Sequence, residues 1–190
     1  MAAIVDRAAD VLCALLGLDC EAVPELLVSE GWPHPGESWQ ALDRPALEHI
    51  IVGDPRARDF GRADSLAFMI HLYGLADAAW LMIMDHDHGY APRKIVGNVT
   101  PERTCVGVVL AVAVALGIAL ASDGKLDDEW QLPMGDFVDE PVDNPDRFIE
   151  LTRISWSASS DGKGFVTRCE LFLRQFPRLG GWPRDVSLTA

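Results

Sequence analysis

Near the start of the chain, apolar residues fall at positions 4, 5, 8, 11, 12, 15 and 16, with Asp6, Arg7 and Asp10 between them. That three-to-four spacing predicts an amphipathic helix from Ile4 to Leu16. A second helix is expected from Ala22 to Ser29, then a loop from Gly31 to Ser38 rich in Gly, Pro, His and Trp. A short helix is expected over Pro45 to Ile51, broken by Gly53-Asp54-Pro55.

The period then shortens. Leu66, Phe68, Ile70 and Leu72 alternate with smaller or more polar neighbours, predicting a strand from Ser65 to Tyr73. Gly74 to Asp77 supplies a turn, and Ala79 to Asp85 is a second strand, apolar on both faces and therefore internal. His86 to Pro92 turns the chain again into a third strand, Lys94 to Val99.

Thr100-Pro101-Glu102 then reads as a helix start, because threonine caps free amides, proline fits the first position and glutamate suits the positive end of the dipole. The helix is expected to end near Asp123-Gly124. From Cys105 to Ala121 it carries no polar or charged side chain, a length at the lower edge for a membrane span. Its alanines and glycines make the run only mildly hydrophobic, and no basic flank follows it. A buried central helix is the reading adopted. Beyond it, a fourth strand is expected over Lys125 to Leu132, a helix from Asn144-Pro145-Asp146 to Ile154, and an amphipathic helix from Gly164 to Phe176.

These elements predict one α+β domain over residues 1–190. An antiparallel meander of three to four strands packs against a long central helix, with helices flanking at both ends. The length suits one sizeable core. The four cysteines, at 13, 20, 105 and 169, show neither a CxxC pair nor zinc-ligand spacing, and are expected to be reduced. Met-Ala-Ala-Ile-Val-Asp-Arg has no secretory pattern, which points to the cytoplasm.

Charge changes the picture most. The formal net charge is −13, which argues against a phosphate-backbone ligand and favours either a basic protein partner or simple solubility through a solvated acidic loop. Ten acids between Asp123 and Glu150 face only Lys125 and Arg147, so this stretch holds more than half of the net charge. Asp127, Asp128, Glu129, Trp130, Asp136, Asp139 and Glu140 are the residues expected to meet a partner, Trp130 as an aromatic anchor. Asp127-Asp128-Glu129 lacks the alternating ligands and central glycine of a calcium loop. Trp32, Trp39, Trp156 and Trp182 also fall in or near expected loops, and Trp80 lies in a strand.

Catalytic signatures are absent: there is no GxSxG, P-loop, GxGxxG after a strand or HExxH, and Ser155, Ser157, Ser159 and Ser160 have no histidine nearby in sequence. No cofactor is implied. The alternative is a metal-dependent site in Asp85-His86-Asp87-His88, with Asp85, His86 and His88 as ligands at a strand end. A third remote ligand would be His71, but a turn near residue 75 pairs position 71 with about position 80, away from Asp85. A polar turn is the plainer reading. A further alternative is a structural subunit that pairs with copies of itself.

The order of elements carries a resemblance. Ser-Leu-Ala-Phe-Met-Ile-His-Leu-Tyr-Gly, Ala-Trp-Leu-Met-Ile-Met-Asp and Lys-Ile-Val-Gly-Asn-Val-Thr-Pro, between Ser65 and Pro101, precede a long helix. In this pattern, over roughly half the chain, it resembles bacterial polymorphic-toxin immunity proteins. The resemblance implies a small cytoplasmic antidote that binds a cognate toxin, here a basic one such as a nuclease. It fixes no contact residues.

Overall fold

The computed structural model describes residues 1–31, 40–50, 65–85, 95–126, 144–154 and 164–176. The first helix, α1, spans Ala2–Leu16 and buries Ile4, Val5, Ala8, Val11, Leu12, Leu15 and Leu16, the stripe expected from its spacing. It stops at Gly17, whose left-handed backbone (φ 58°) lets its amide bond the Cys13 carbonyl. That conformation costs a glycine little. A one-turn 3-10 helix follows at Cys20–Ala22.

The segment expected to form a second helix instead ends in a strand, β1 (Leu26–Glu30). Leu26 and Val28 point into the core while their partners Leu72 and Ile70 on the neighbouring strand do the same. Pairing of two apolar faces overrides the local helical spacing, as tertiary context commonly does for short apolar runs. Helix α2 (Arg44–His49) is capped by Asp43, whose carboxylate accepts the Ala46 amide at 2.9 Å. Arg44 forks onto Asp6 of α1 at 2.5 and 2.8 Å, and the Met1 ammonium donates to the Ile50 carbonyl at 2.6 Å. The Arg44–Asp6 pair is half exposed, so it orients α2 more than it stabilises it.

Strands β2 (Ser65–Leu72), β3 (Ala78–Asp85) and β4 (Ile95–Pro101) form the expected meander. The sheet is antiparallel in the order β1-β2-β3-β4. Its fourth strand is therefore β1. Of the segment expected to supply one, Lys125 and Leu126 carry no regular structure and 127–132 lie outside the described residues. Phe68, Ile70, Leu72, Ala79, Leu81 and Ile83 line the inner face.

On that face lies α3 (Cys105–Ser122), which also packs against α1, α4 and α5. Having no polar stripe, it needs cover on every side, and it receives the sheet on one side and helices on the other. By length and composition it could cross a membrane, yet most of it is buried within the fold. It begins later than expected. Thr104, not Thr100, caps it by accepting the Gly107 amide at 2.9 Å, while Thr100 and Pro101 complete β4. Asp123 ends it in a left-handed conformation (φ 51°).

The helices α4 (Pro145–Thr152) and α5 (Phe165–Leu173) close the helical layer. Asn144 caps α4 through the Arg147 amide at 2.9 Å, and proline occupies its first turn, as the sequence led one to expect. Phe148, Cys169, Phe172 and Phe176 are buried, and the Ile154 amide donates to the Leu15 carbonyl at 2.8 Å, fastening the end of α4 to α1.

The expectation of four reduced cysteines is corrected. Cys13 and Cys20 are bridged, with their Cα atoms 5.3 Å apart, within the usual range for a disulfide. The tight turn at Gly17 brings them together, something that spacing alone does not reveal. Cys105 and Cys169 form no disulfide and are buried. Burial pushes the Cys169 thiol well above its ordinary range, so it is inert at neutral pH.

Candidate functional site

Asp127, Asp128, Glu129, Trp130, Asp136, Asp139 and Glu140 lie outside the described residues, but both ends of their stretch are in place. Asp123 caps α3 and is exposed. At the other end, Asp146 and Glu150 are exposed on α4, where Glu150 accepts from Arg147 at 2.7 Å. Since α4 packs against α3, the stretch leaves and rejoins the same helical layer. An open cleft of about 530 Å³ lies at its far end, lined by Cys13, Ala14 and Gly17 of α1 and its cap and by Ile149, Glu150, Arg153 and Ile154. Its lining is mainly apolar, with the Glu150 carboxylate and the Arg153 guanidinium among it.

The metal reading loses its remote ligand. His71 pairs with Ala78, near the value of 80 expected from the turn, while Asp85 pairs with Ile95 at the opposite end of β3. Seven residues separate Ala78 from Asp85, roughly 23 Å along a strand. His71 is half-buried, and burial pushes its imidazole below the usual range, so it is neutral at pH 7. His86, Asp87 and His88 lie outside the described residues. Among the described residues no three histidines, cysteines or carboxylates converge on a point that could hold a metal ion.

Trp80 is the one tryptophan among the described residues. It stands on the outer sheet face, beside Met69 on β2 and Thr100 on β4. This face also presents Ala67, His71, Met82 and Asn98, and carries no charged side chain among these positions. Met82 is 41% exposed and Trp80 half-buried. The alternation in β3 places Trp80 and Met82 on one face, which is open only in part, since Ser29, Met69 and Ala78 on the same face are buried.

Two polar features escaped sequence reading. One is a clasp between the start of β3 and the start of α3. Thr104 Oγ1 donates to Asp77 Oδ1, the Ala78 amide donates to Glu102 Oε2 at 3.0 Å, and the Glu102 amide donates to the Ala78 carbonyl at 3.1 Å. Asp77 is 1% exposed, next to the positive end of α3, where a carboxylate is favoured. Burial, with the nearby Asp77 charge, pushes the Glu102 carboxyl above its ordinary range. This clasp is structural: it fixes where the sheet hands over to the helix. The other feature is Arg168, buried on α5 at 4% exposure. A signal for it existed, since position 168 falls on the apolar stripe 165, 169, 172, 176 of α5.

No protein family, curated protein or solved structure matches the chain.

Proposed function

We propose that this chain is a stoichiometric protein-binding inhibitor, similar in kind to the immunity proteins that neutralise a cognate toxin, and that its partner is basic. One observation carries the reading: ten carboxylates stand against two basic side chains between Asp123 and Glu150. The described members Asp123, Asp146 and Glu150 are exposed, which is where charge steers an encounter. Asp127, Asp128, Glu129, Asp136, Asp139 and Glu140 supply the field, and Trp130 the apolar anchor. The cleft bordered by Glu150 and Arg153 adjoins this stretch and offers a receptor for one side chain of the partner. The setting is cytoplasmic, a compartment whose reducing systems work against the Cys13–Cys20 bridge. The Gly17 turn does not need their bridge, because the Gly17 and Leu18 amides both bond the Cys13 carbonyl.

The test is capture from a lysate of the source cell at low and moderate salt, with wild type and a variant reversing Asp127, Asp128 and Glu129 to lysine. Wild type should retain one basic protein at equal stoichiometry. The variant should stay folded and bind at least tenfold more weakly at low salt, with the gap narrowing as salt screens the charges. Unchanged affinity in the reversed variant, or no retained protein at either salt, would sink the proposal. The exposed Met82 and half-buried Trp80 on the outer sheet face are what a second reading, a subunit that pairs with itself, would rest on. A mass that doubles with concentration in the absence of any other protein is its signature.

A further inference from the structure

The two edges of the sheet are not alike. Along an antiparallel strand the backbone groups alternate, one residue bonding the neighbouring strand and the next turned away from it. The Glu102 amide donates to the Ala78 carbonyl at 3.1 Å, so the pairs in step with it, Trp80–Thr100, Met82–Asn98 and Met84–Val96, are the bonded ones between β3 and β4. The far side of the sheet gives the same parity. The Gly31 amide donates to Ala67 and the Tyr73 amide to Glu25, which turns the odd residues of β2 towards β1 and its even residues towards β3. Strand β3 then bonds β2 through its odd residues and β4 through its even ones. The amides and carbonyls of Ile95, Gly97 and Val99 therefore point out of the sheet.

Among the described residues nothing bonds these outward groups. Helix α3 lies over the inner face of β4 and not along its edge, since a Cβ on Gly97 would meet Ile118 at 3.1 Å. The opposite edge is stopped: the Leu42 amide donates to the Val28 carbonyl at 2.7 Å, at the middle of β1. Proteins protect an open edge with charged side chains, proline or a bulge. Strand β4 carries no charge, its proline comes only at the last position, and its register with β3 is unbroken. Asn98 and Thr100 are exposed along it. More than half of the −13 charge lies between Asp123 and Glu150, outside this strand.

We propose that the open edge of β4 pairs antiparallel with the same edge of a second copy of this chain, about a two-fold axis at Gly97. Such pairing is self-complementary, as a two-fold interface must be. It sets Gly97 against Gly97 and Ile95 against Val99 of the second copy, and each such pair exchanges two hydrogen bonds. A register two residues along would set Ile95 against Pro101, which has no amide to give. Each chain has one open edge, because Leu42 occupies the other, so growth stops at two chains and the two sheets become one with β1 at either end. One strand pair is a smaller contact than a permanent dimer uses, and the association is weak and concentration-dependent. This edge is separate from the acidic partner surface, and the inference does not rest on the basic-partner reading.

The experiment is sedimentation equilibrium of the purified full chain from micromolar to millimolar concentration, at low and moderate salt, with amide hydrogen exchange at both ends of the range. The mass should rise from one chain to two and stop there. Association should tighten with salt, because screening relieves the repulsion between two acidic chains, whereas binding to a basic partner weakens with salt. With nine-tenths of the chains paired, the amides of Ile95, Gly97 and Val99 should exchange about tenfold more slowly, since only the unpaired tenth exposes them. Those of Val96, Asn98 and Thr100, already bonded to β3, should be unchanged. Asn98→Lys, at an exposed position, should keep the fold and weaken pairing about tenfold or more, because the two lysines meet diagonally across the new strand pair. Met82→Ser, on the outer face of β3, should leave pairing intact. The exchange pattern of wild type decides the matter even where a variant fails to fold. The proposal is overturned if the mass stays that of one chain at millimolar concentration, grows past two chains or falls with salt. It is equally overturned if protection falls on other amides, or if Met82→Ser abolishes pairing and Asn98→Lys does not.

Discussion

Gly117 offers a test of the core in which two effects oppose one another. In an isolated helix, Gly→Ala stabilises by about 1 kcal/mol, because glycine loses more backbone freedom on folding. Gly117 sits in the middle of α3 and is buried, so propensity alone predicts a more stable variant. The packing predicts the reverse. A Cβ at this position would stand 2.8 Å from the Ala8 amide nitrogen, 3.0 Å from the Ile4 carbonyl oxygen and 3.1 Å from the Ala8 Cα. All three are backbone atoms of α1, so no rotamer change can relieve the contact. The two helices must separate along their shared face, and overpacking of this kind costs about 1–3 kcal/mol. Subtracting the propensity gain leaves a net destabilisation of about 0–2 kcal/mol for Gly117→Ala, towards the upper end because the contacts are with rigid backbone. Gly117→Val should be worse, since it adds two more methyls and a stiff β-branched side chain. Urea unfolding followed by circular dichroism reads the difference as a shift in midpoint at constant slope. A melting temperature lowered by up to about 8 °C for the alanine variant is the equivalent thermal result. If Gly117→Ala melts higher than wild type, the close approach of α1 and α3 is wrong.

Other predictions concern ionisation and redox state. Glu102 has its folded pKa raised by burial and by Asp77, so its charge opposes folding above that value, and the penalty fades as pH falls through it. Glu102→Gln keeps an acceptor for the Ala78 amide. The variant should therefore be more stable than wild type at pH 7, with the advantage disappearing under acid conditions; an advantage independent of pH would contradict the burial argument. Reduction of the Cys13–Cys20 bridge frees a loop of about eight residues, for which the chain-entropy relation gives about 2.5 kcal/mol at most. Thiol titration of the oxidised, unfolded chain should count two thiols, and reduction should raise the count to four with a lower melting temperature. A count of four before reduction would refute the bridge.

Much of the architecture is legible from period alone. The stripe of α1, the alternation in β2 and the proline-bearing start of α4 each have one dominant local signal, and tertiary contacts agree with it. Where two local readings competed, distant residues decided. The region before Glu30 fits a helical turn as well as an edge strand, and the choice falls to Leu72 and Ile70, some forty residues away. Thr100 and Thr104 are both competent caps. Thr104 prevails because Glu102 and Asp77 are already engaged in the clasp with β3, which holds the intervening residues out of the helix. Proximity of Cys13 to Cys20 needs the left-handed turn at Gly17, and the contact at Gly117 needs the partner helix. Neither is a local property. The acidic stretch is different in kind: its charge is plain in the sequence, but charge density specifies a field and not a contact geometry.

The helix α3 has a consequence for the life of the molecule once it opens. Its seventeen residues from Cys105 to Ala121 hold no charge and no polar side chain, and they stay dry only while α1 and the sheet cover them. Any excursion that lifts α1 uncovers a continuous sticky segment, which associates with the same segment of another opened chain faster than α1 can return at high concentration. The −13 net charge acts against that encounter, because opened molecules repel one another before their apolar segments meet. The acidity of this protein is thus also a guard against its own core. Salt, by screening the repulsion, converts reversible opening into irreversible loss.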